Sequence, residues 1–174
     1  MDTKQDDLYR RAAEGFGSAL CRLAHAYESD PDRRRDLMQE IHLALWRSFE
    51  RFDGRCSLRT WVYRVAHNVA TSHVIRRNRK NLSVLLTLED VEAQPSPENF
   101  EILADRRTTF ARLLALIQRL EPPDRQIMLA YLEGIEAESI AEITGMSAAN
   151  VWTKIHRIKR VLTRQFHAGD TNAK

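Results

Sequence analysis

Apolar residues recur at intervals of three and four along most of this chain, and only six glycines and five prolines among 174 residues are present to interrupt them. That spacing is the mark of amphipathic helices, and it gives strands little support, so an all-α fold is expected. A first helix is predicted from about Gln5 to Tyr27, on Leu8, Ala12, Phe16, Leu20, Leu23 and Tyr27, stopping at Ser29-Asp30-Pro31. A second follows from about Arg33 to Phe49. After the Asp53-Gly54 turn a third runs from about Leu58 to Arg79, with Leu58, Trp61, Val62, Val65, Ala66 and Val69 inward.

The segment NLSVLLTLEDVEAQPSPENF mixes apolar residues, acids and prolines without a sustained period, and it reads as a linker between two cores. A long helix is then expected from near Glu98 on Leu103, Phe110, Leu113, Leu114, Ile117 and Leu120. Three shorter elements complete the chain. Asp124 is the predicted N-cap of one that stops at Gly134, a second ends at Gly145, and Ser147 is placed to cap a last helix reaching about His167. Domains are therefore expected over residues 1–80 and 98–174, with an acidic linker over 81–97.

The net charge of +3 conceals a strong segregation. Residues 51–80 carry +7 and residues 146–174 carry +5, whereas residues 81–105 contain no Lys or Arg and carry −6. Two basic blocks around an acidic one form the electrostatic footprint of a polyanion binder with two contacts. Cys21 and Cys56 belong to no metal-ligand spacing, so reduced, separate thiols are expected, with no metal and no cofactor. Asp2, Asp6 and Asp7 stand where a signal peptide would be positive, and no apolar run approaches the roughly 18 residues that span a bilayer. A cytoplasmic location without membrane insertion is the expectation.

ESIAEITGMSAANVWTKIHRIKR has the form of a helix-turn-helix: a short helix, a glycine turn, then a longer basic helix. Val151, Ile155, Ile158 and Leu162 share one face, while Ala149, Asn150, Thr153, His156, Arg157, Arg160 and Arg164 lie broadly opposite. Amide, hydroxyl and guanidinium groups of this kind read major-groove edges or hold phosphates. Asn150, Thr153 and Lys154 are the expected base or near-base contacts, Arg157 and Arg160 reach the backbone, and Ser147 with the helix-start amides can hold a phosphate. Trp152 falls on the flank.

The second helix carries two stripes. Leu37, Ile41, Ala44 and Leu45 form one. Gln39, Leu43 and Trp46, bordered by Asp36 and Glu40, form another that wants either a partner or burial at the centre of the bundle. In FDGRCSLRTWVYRVAHNVATSHVIRR, aromatics stand beside arginines next to a turn, an arrangement suited to single-stranded nucleic acid, since bases stack on rings while cations track the backbone. The competing reading packs Trp61 and Val65 in the core, half-buries Tyr63, and leaves His67 and His73 at the surface.

DLMQEIHLALWRSFERFDGRCSLRTWVYRVAHNVATSHVIRR resembles region 2, and LEPPDRQIMLAYLEGIEAESIAEITGMSAANVWTKIHRIKRVL resembles region 4, of bacterial RNA polymerase sigma factors of the extracytoplasmic-function subfamily. The resemblance implies two small helical domains and a non-enzymatic initiation factor. It implies that Asp36, Gln39, Glu40, Leu43 and Trp46 dock on the β′ clamp helices of core polymerase, with the β flap a contact for region 4. Gly54, Arg55, Ser57, Leu58 and Arg59, with Asn68, would capture an unstacked minus-ten base, and Arg64, Arg76 and Arg77 would hold the melted strand. The last helix would read minus-thirty-five duplex, and an anti-sigma factor is an expected partner. Arg33, Arg34 and Arg35 depart from the family, which commonly has acids there, as does Trp152, where a basic residue is usual. Two rivals remain: a helix-turn-helix regulator acting without polymerase, and a metal-dependent nuclease using His67 and His73. Asp53 is the one carboxylate between Arg51 and Lys80, which leaves the nuclease little support.

Overall fold

The structure, a computed structural model, describes residues 4–85 and 106–171. Seven α-helices occur among them: α1 (Lys4–Tyr27), α2 (Pro31–Ser48), α3 (Leu58–Leu85), α4 (Arg106–Gln118), α5 (Pro122–Leu132), α6 (Ala137–Thr144) and α7 (Ala148–Thr171). A single 3-10 turn, Phe49–Arg51, follows α2, and no strand occurs among the described residues. The expected linker is corrected at its start, because α3 continues through residues 81–85. Its remainder lies outside the described residues, as does the predicted start of the fourth helix at Glu98.

Each helix start has a local cause. Asp30 caps α2, its carboxylate accepting the N–H groups of Asp32 (3.1 Å) and Arg33 (2.9 Å), with Pro31 fitting the first turn where no donor is needed. The helix therefore begins before the predicted Arg33. Ser147 caps α7 as expected and accepts the Asn150 N–H (3.3 Å). Asp124 does not cap α5. Glu121 occupies that position, and Pro122 and Pro123 fill the first turn, leaving the Asp124 carboxylate free to bond elsewhere. Gly145 ends α6 at φ 73°, a left-handed conformation that a Cβ would oppose.

In the first group, α3 packs against both α1 and α2, burying Leu20, Leu23 and Tyr27 with Leu37, Ile41, Leu45, Val62 and Ala66. In the second, α7 packs on α4, α5 and α6 around Ile117, Ile127, Ile140, Val151, Ile155 and Ile158. The two groups, expected as separate cores, touch. Arg22 on α1 grips the Glu133 carboxylate with two bonds (2.6 and 2.7 Å), and Arg59 donates to the Glu133 carbonyl. Gln118 donates to the His25 carbonyl (2.8 Å), and the Arg125 guanidinium lies 5.2 Å from the centre of the Tyr27 ring. These partners are far apart in sequence, so no local pattern reports them.

At the base of the first group sits Glu28, a carboxylate with no exposed surface. It accepts the Asp30 N–H (3.1 Å), faces His73 Nε2 (3.1 Å) and Arg77 Nη1 (3.3 Å), and has Arg33 Nε at 3.7 Å. Burial opposes its charge, but the Asp30 amide, His73 and the two arginines outweigh that and hold its pKa below the ordinary value. Glu28→Ala removes the acceptor these donors share and is expected to lower the unfolding free energy by about 3 kcal/mol, seen as a lower urea midpoint at neutral pH. Since the folded pKa is depressed, the contribution is lost as pH falls through it, and the two midpoints should converge in acid. Equal midpoints at neutral pH would contradict the role given to Glu28.

Candidate nucleic-acid interface

The second stripe of α2 is open to solvent. Asp36, Gln39, Glu40, Leu43 and Trp46 are all exposed, Leu43 by 49% and Trp46 by 41%, while Leu37, Ile41 and Leu45 on the opposite side are buried. Burial of this helix on both sides is thereby ruled out. The start of α1 borders the stripe: Trp46 Nε1 donates to Asp6 (3.0 Å), and Gln5 donates to the Trp46 carbonyl (2.8 Å). Of the arginines that precede the stripe, Arg33 and Arg34 turn toward the α1–α2 corner, whereas Arg35 stays exposed on α2. Arg33 lies by Glu28 and Asp30, Arg34 donates to the Ser29 carbonyl (3.2 Å), and Arg35 pairs with Asp32 (3.1 Å).

Between α2 and α3 runs a groove lined by Glu40, Leu43, Arg47, Asn68, Ser72 and Arg76. Asn68, Ser72 and Arg76 succeed one another at intervals of four, so they share the face of α3 that looks into it. Arg76 is paired across the groove with Glu40 (2.5 Å). Arg77 instead turns to Glu28, so these neighbouring predicted strand cations differ in setting.

In the loop before α3, Gly54 has φ 79°, and Asp53 accepts the Arg55 N–H (3.1 Å) and pairs with its guanidinium (3.1 Å). Ser57 caps α3 by accepting the Thr60 N–H (3.0 Å). Gly54, Arg55 and Ser57 are exposed; Leu58, Arg59 and Arg64 are half-buried. Arg64 folds back over the Trp61 ring (5.3 Å) and donates to Cys56 Sγ (3.2 Å). Arg59 is engaged by Glu133, as described above.

The aromatic reading of this stretch needs correction. Tyr63 and His67 are buried rather than half-buried or at the surface, and neither can stack on a base. Position explains this, because α3 is covered by α1 and α2 on one flank and by α5 and α6 on another, so its inward arc is wider than a single stripe. Burial, with the Glu133 carboxylate nearby, pushes the Tyr63 phenol up to about 12. His67 Nδ1 lies 3.1 Å from the Tyr27 hydroxyl, and its Nε2 is buried without a partner. Trp61 is half-buried, donating to Ser48 Oγ (2.9 Å) with its ring edge-on to Phe52. His73 is likewise half-buried against Glu28.

In the helix-turn-helix, Val151, Ile155, Ile158 and Leu162 are buried as the spacing predicts. Ser147, Asn150, Thr153, Arg157, Arg160 and Arg164 are exposed. Lys154 is half-buried, tied to Asp124 (2.5 Å), and Arg157 shares the same carboxylate (2.8 Å). Burial works against the Asp124 charge, yet the two cations hold its pKa below the usual carboxylate value. Asp124, Glu133 and Glu28, each setting where a cation points, carry no local sequence signal, since their partners come from other helices. Among the described residues, no group of three or more His, Cys, Asp or Glu is arranged to hold a metal ion, and no helix is long and apolar enough to cross a membrane.

Two family models match the chain: Sigma-70 region 2 over residues 13–80 and Sigma-70, region 4 over residues 110–162. It is 29% identical to the RNA polymerase sigma factor NccH of Alcaligenes xylosoxydans xylosoxydans, over 90% of this chain and 91% of that one. Against the ECF RNA polymerase sigma-E factor of Haemophilus influenzae the identity is 30%, covering 73% and 71% of the two chains. In fold it resembles the sigma factor RpoE of Bartonella quintana, solved in complex with the anti-sigma factor NepR. That match has a TM-score of 0.67 at 20% identity and covers 90% of this chain and 94% of the other.

Burial depresses the His67 pKa from its ordinary 6.5 to about 3. The folded protein therefore keeps this imidazole neutral, while the unfolded chain binds its proton below about 6.5, and stability falls as pH drops from there toward 3. A step from pH 7 to pH 5 should cost about 2 kcal/mol through this residue. His67→Phe, compared with the parent by urea unfolding at both pH values, should show a loss smaller by about that amount. Identical losses would mean that His67 titrates normally in the fold.

Proposed function

Because the chain belongs to the sigma-70 family, in its extracytoplasmic-function branch, we propose that it docks on core RNA polymerase through α2, brings it to promoters and traps the opened strand. The polymerase supplies all the chemistry, and the chain works in the cytoplasm without an enzymatic activity of its own. The observation that carries this reading is the α2 stripe. A helix-turn-helix regulator has no use for an aromatic anchor with flanking acids held open on a separate helical group, whereas a polymerase-docking factor does. The turning of Arg33 and Arg34 into the α1–α2 corner, with Arg35 paired to Asp32, supports the same assignment, since it leaves the acids Asp36 and Glu40 on the stripe.

In this reading the first group serves polymerase and the minus-ten element, residues 98–174 serve the minus-thirty-five element, and the acidic stretch that follows α3 links them. The β′ clamp helices meet Asp36, Gln39, Glu40, Leu43 and Trp46, and the β flap meets the second group. An unstacked base is held between the Gly54–Arg59 loop and Asn68, with Arg64 and Arg76 as the cations beside it, while Arg77, the third cation the resemblance named, stays on Glu28. Arg76 is the best placed of the three, since it lies in the groove with Asn68 and its pair with Glu40 is exposed on both sides. On α7, Ser147, Asn150, Thr153, Lys154, Arg157 and Arg160 face the duplex. A relative's co-crystal with an anti-sigma factor supports a partner of the same class here.

Run-off transcription with purified core polymerase, with and without this chain, tests the assignment, and product is expected only with it. Trp46→Ala should weaken polymerase binding by at least about tenfold, the loss typical of an aromatic anchor, with an unchanged helical circular dichroism spectrum. Full binding by that variant would reject the α2 docking face.

A further inference from the structure

Three of the side chains expected to read a groove from α7 are already engaged within the protein. Lys154 and Arg157 share the Asp124 carboxylate, and Thr153 turns its hydroxyl back to the Ala149 carbonyl (3.0 Å). What α7 presents beside them is a flat ring surface. The Trp152 indole is 48% exposed and stacks on the His156 imidazole one turn later, ring centres 6.0 Å apart and planes at 29°. His156 is exposed as well, and the pair lies alongside Ala149 and Thr153 on the outward arc of the helix. The indole also forms one wall of an open depression lined by Tyr131, Ile135 and Ala137 at the start of α6.

We propose that the Trp152–His156 stack is a sequence-reading element of α7, and that it recognises the 5-methyl group of thymine in the major groove. The inference rests on the reading of α7 as the duplex-binding helix. Among base edges facing that groove, the thymine methyl is the apolar feature, and it is read by apolar contact rather than by a directional hydrogen bond. A ring surface steadied by the His156 stack suits that task, since less side-chain freedom remains to be lost on binding. Asn150 stays exposed for a polar base contact. Arg160 and Arg164, with no ion-pair partner among the described residues, remain for the backbone.

The test begins with the full chain and a pool of random-sequence duplexes, from which the tightest binders are selected. The selected duplex is then remade with deoxyuridine in place of thymidine, one position at a time, which deletes only the methyl. At one position at least, the parent protein is expected to lose about fourfold in affinity, the worth of one buried methyl group. Trp152→Ala should bind the thymidine and deoxyuridine duplexes alike at that position, and Trp152→Phe should keep most of the difference. Unselected duplex, bound equally by parent and variants, controls for folding. Absence of any methyl-sensitive position, or equal sensitivity in Trp152→Ala, overturns the proposal while leaving α7 a duplex binder. Failure of the parent to select any duplex overturns that assignment too.

Discussion

Glu28 ends the first helix with its carboxylate out of reach of water, and the placement of α1, α2 and α3 follows from how its acceptor sites are filled. An ionised carboxylate in that position is tolerable only if donors surround it, and they come from the start of α2 and the later turns of α3. With His73 and Arg77 committed to Glu28, the intervening Arg76 is rotated by roughly 100° per residue away from it and toward α2. Asn68 and Ser72 lie on the same line of α3 as Arg76. A buried ion network thus aims the groove-lining face, although none of its members except Arg77 was a predicted contact.

Most cations expected to meet nucleic acid are already paired with acids, so binding is an exchange rather than a simple gain. Burial decides which exchanges are cheap. In the Arg76–Glu40 pair both side chains are about half exposed, and such pairs are worth about 1 kcal/mol at most. Arg77 faces a fully buried Glu28, and withdrawing it would leave a carboxylate without compensation, at a cost of several kcal/mol. Adjacent in sequence, the first is free to move to a phosphate and the second is structural. The same distinction separates Arg157, 60% exposed, from Lys154, 29% exposed, on the shared Asp124.

Helix positions, the helix-turn-helix core and the α2 stripe were all legible in the sequence, because each depends on spacing within one element. Val151, Ile155, Ile158 and Leu162 needed only a period of 3.6, and the same period showed that Leu43 and Trp46 form a second stripe of α2, whose exposure rather than burial depends on the neighbouring helices. Tyr63 and His67 were misjudged because α3 is covered from several sides, and a single-stripe argument undercounts the burial of a central helix. Asp124 has the spacing of a cap, but α5 starts earlier, at Pro122, so Asp124 falls inside the first turn rather than at its edge. Glu28 and Glu133 could not have been found, since their partners come from residues up to 111 positions away.

The contact between the two helical groups bears directly on the loop before α3. Arg59 donates to the Glu133 carbonyl while the carboxylate of the same residue holds Arg22, so one residue on the second group engages two helices of the first. One Nη of Arg59 is thereby committed and the side chain half-buried, so only its remaining donors are open to a phosphate or a base edge. To the extent that strand capture needs the committed donor, whatever favours the closed arrangement disfavours capture by the same free energy. Arg22 on α1 is 43% exposed, whereas Glu133 has 18% of its side chain exposed, so the guanidinium can turn to solvent more readily than the carboxylate it holds. The first group can stay folded around Glu28 while its contact with the second opens, because Asp30, Arg33, His73 and Arg77, which surround Glu28, take no part in the bonds made by Arg22, Arg59 and Glu133.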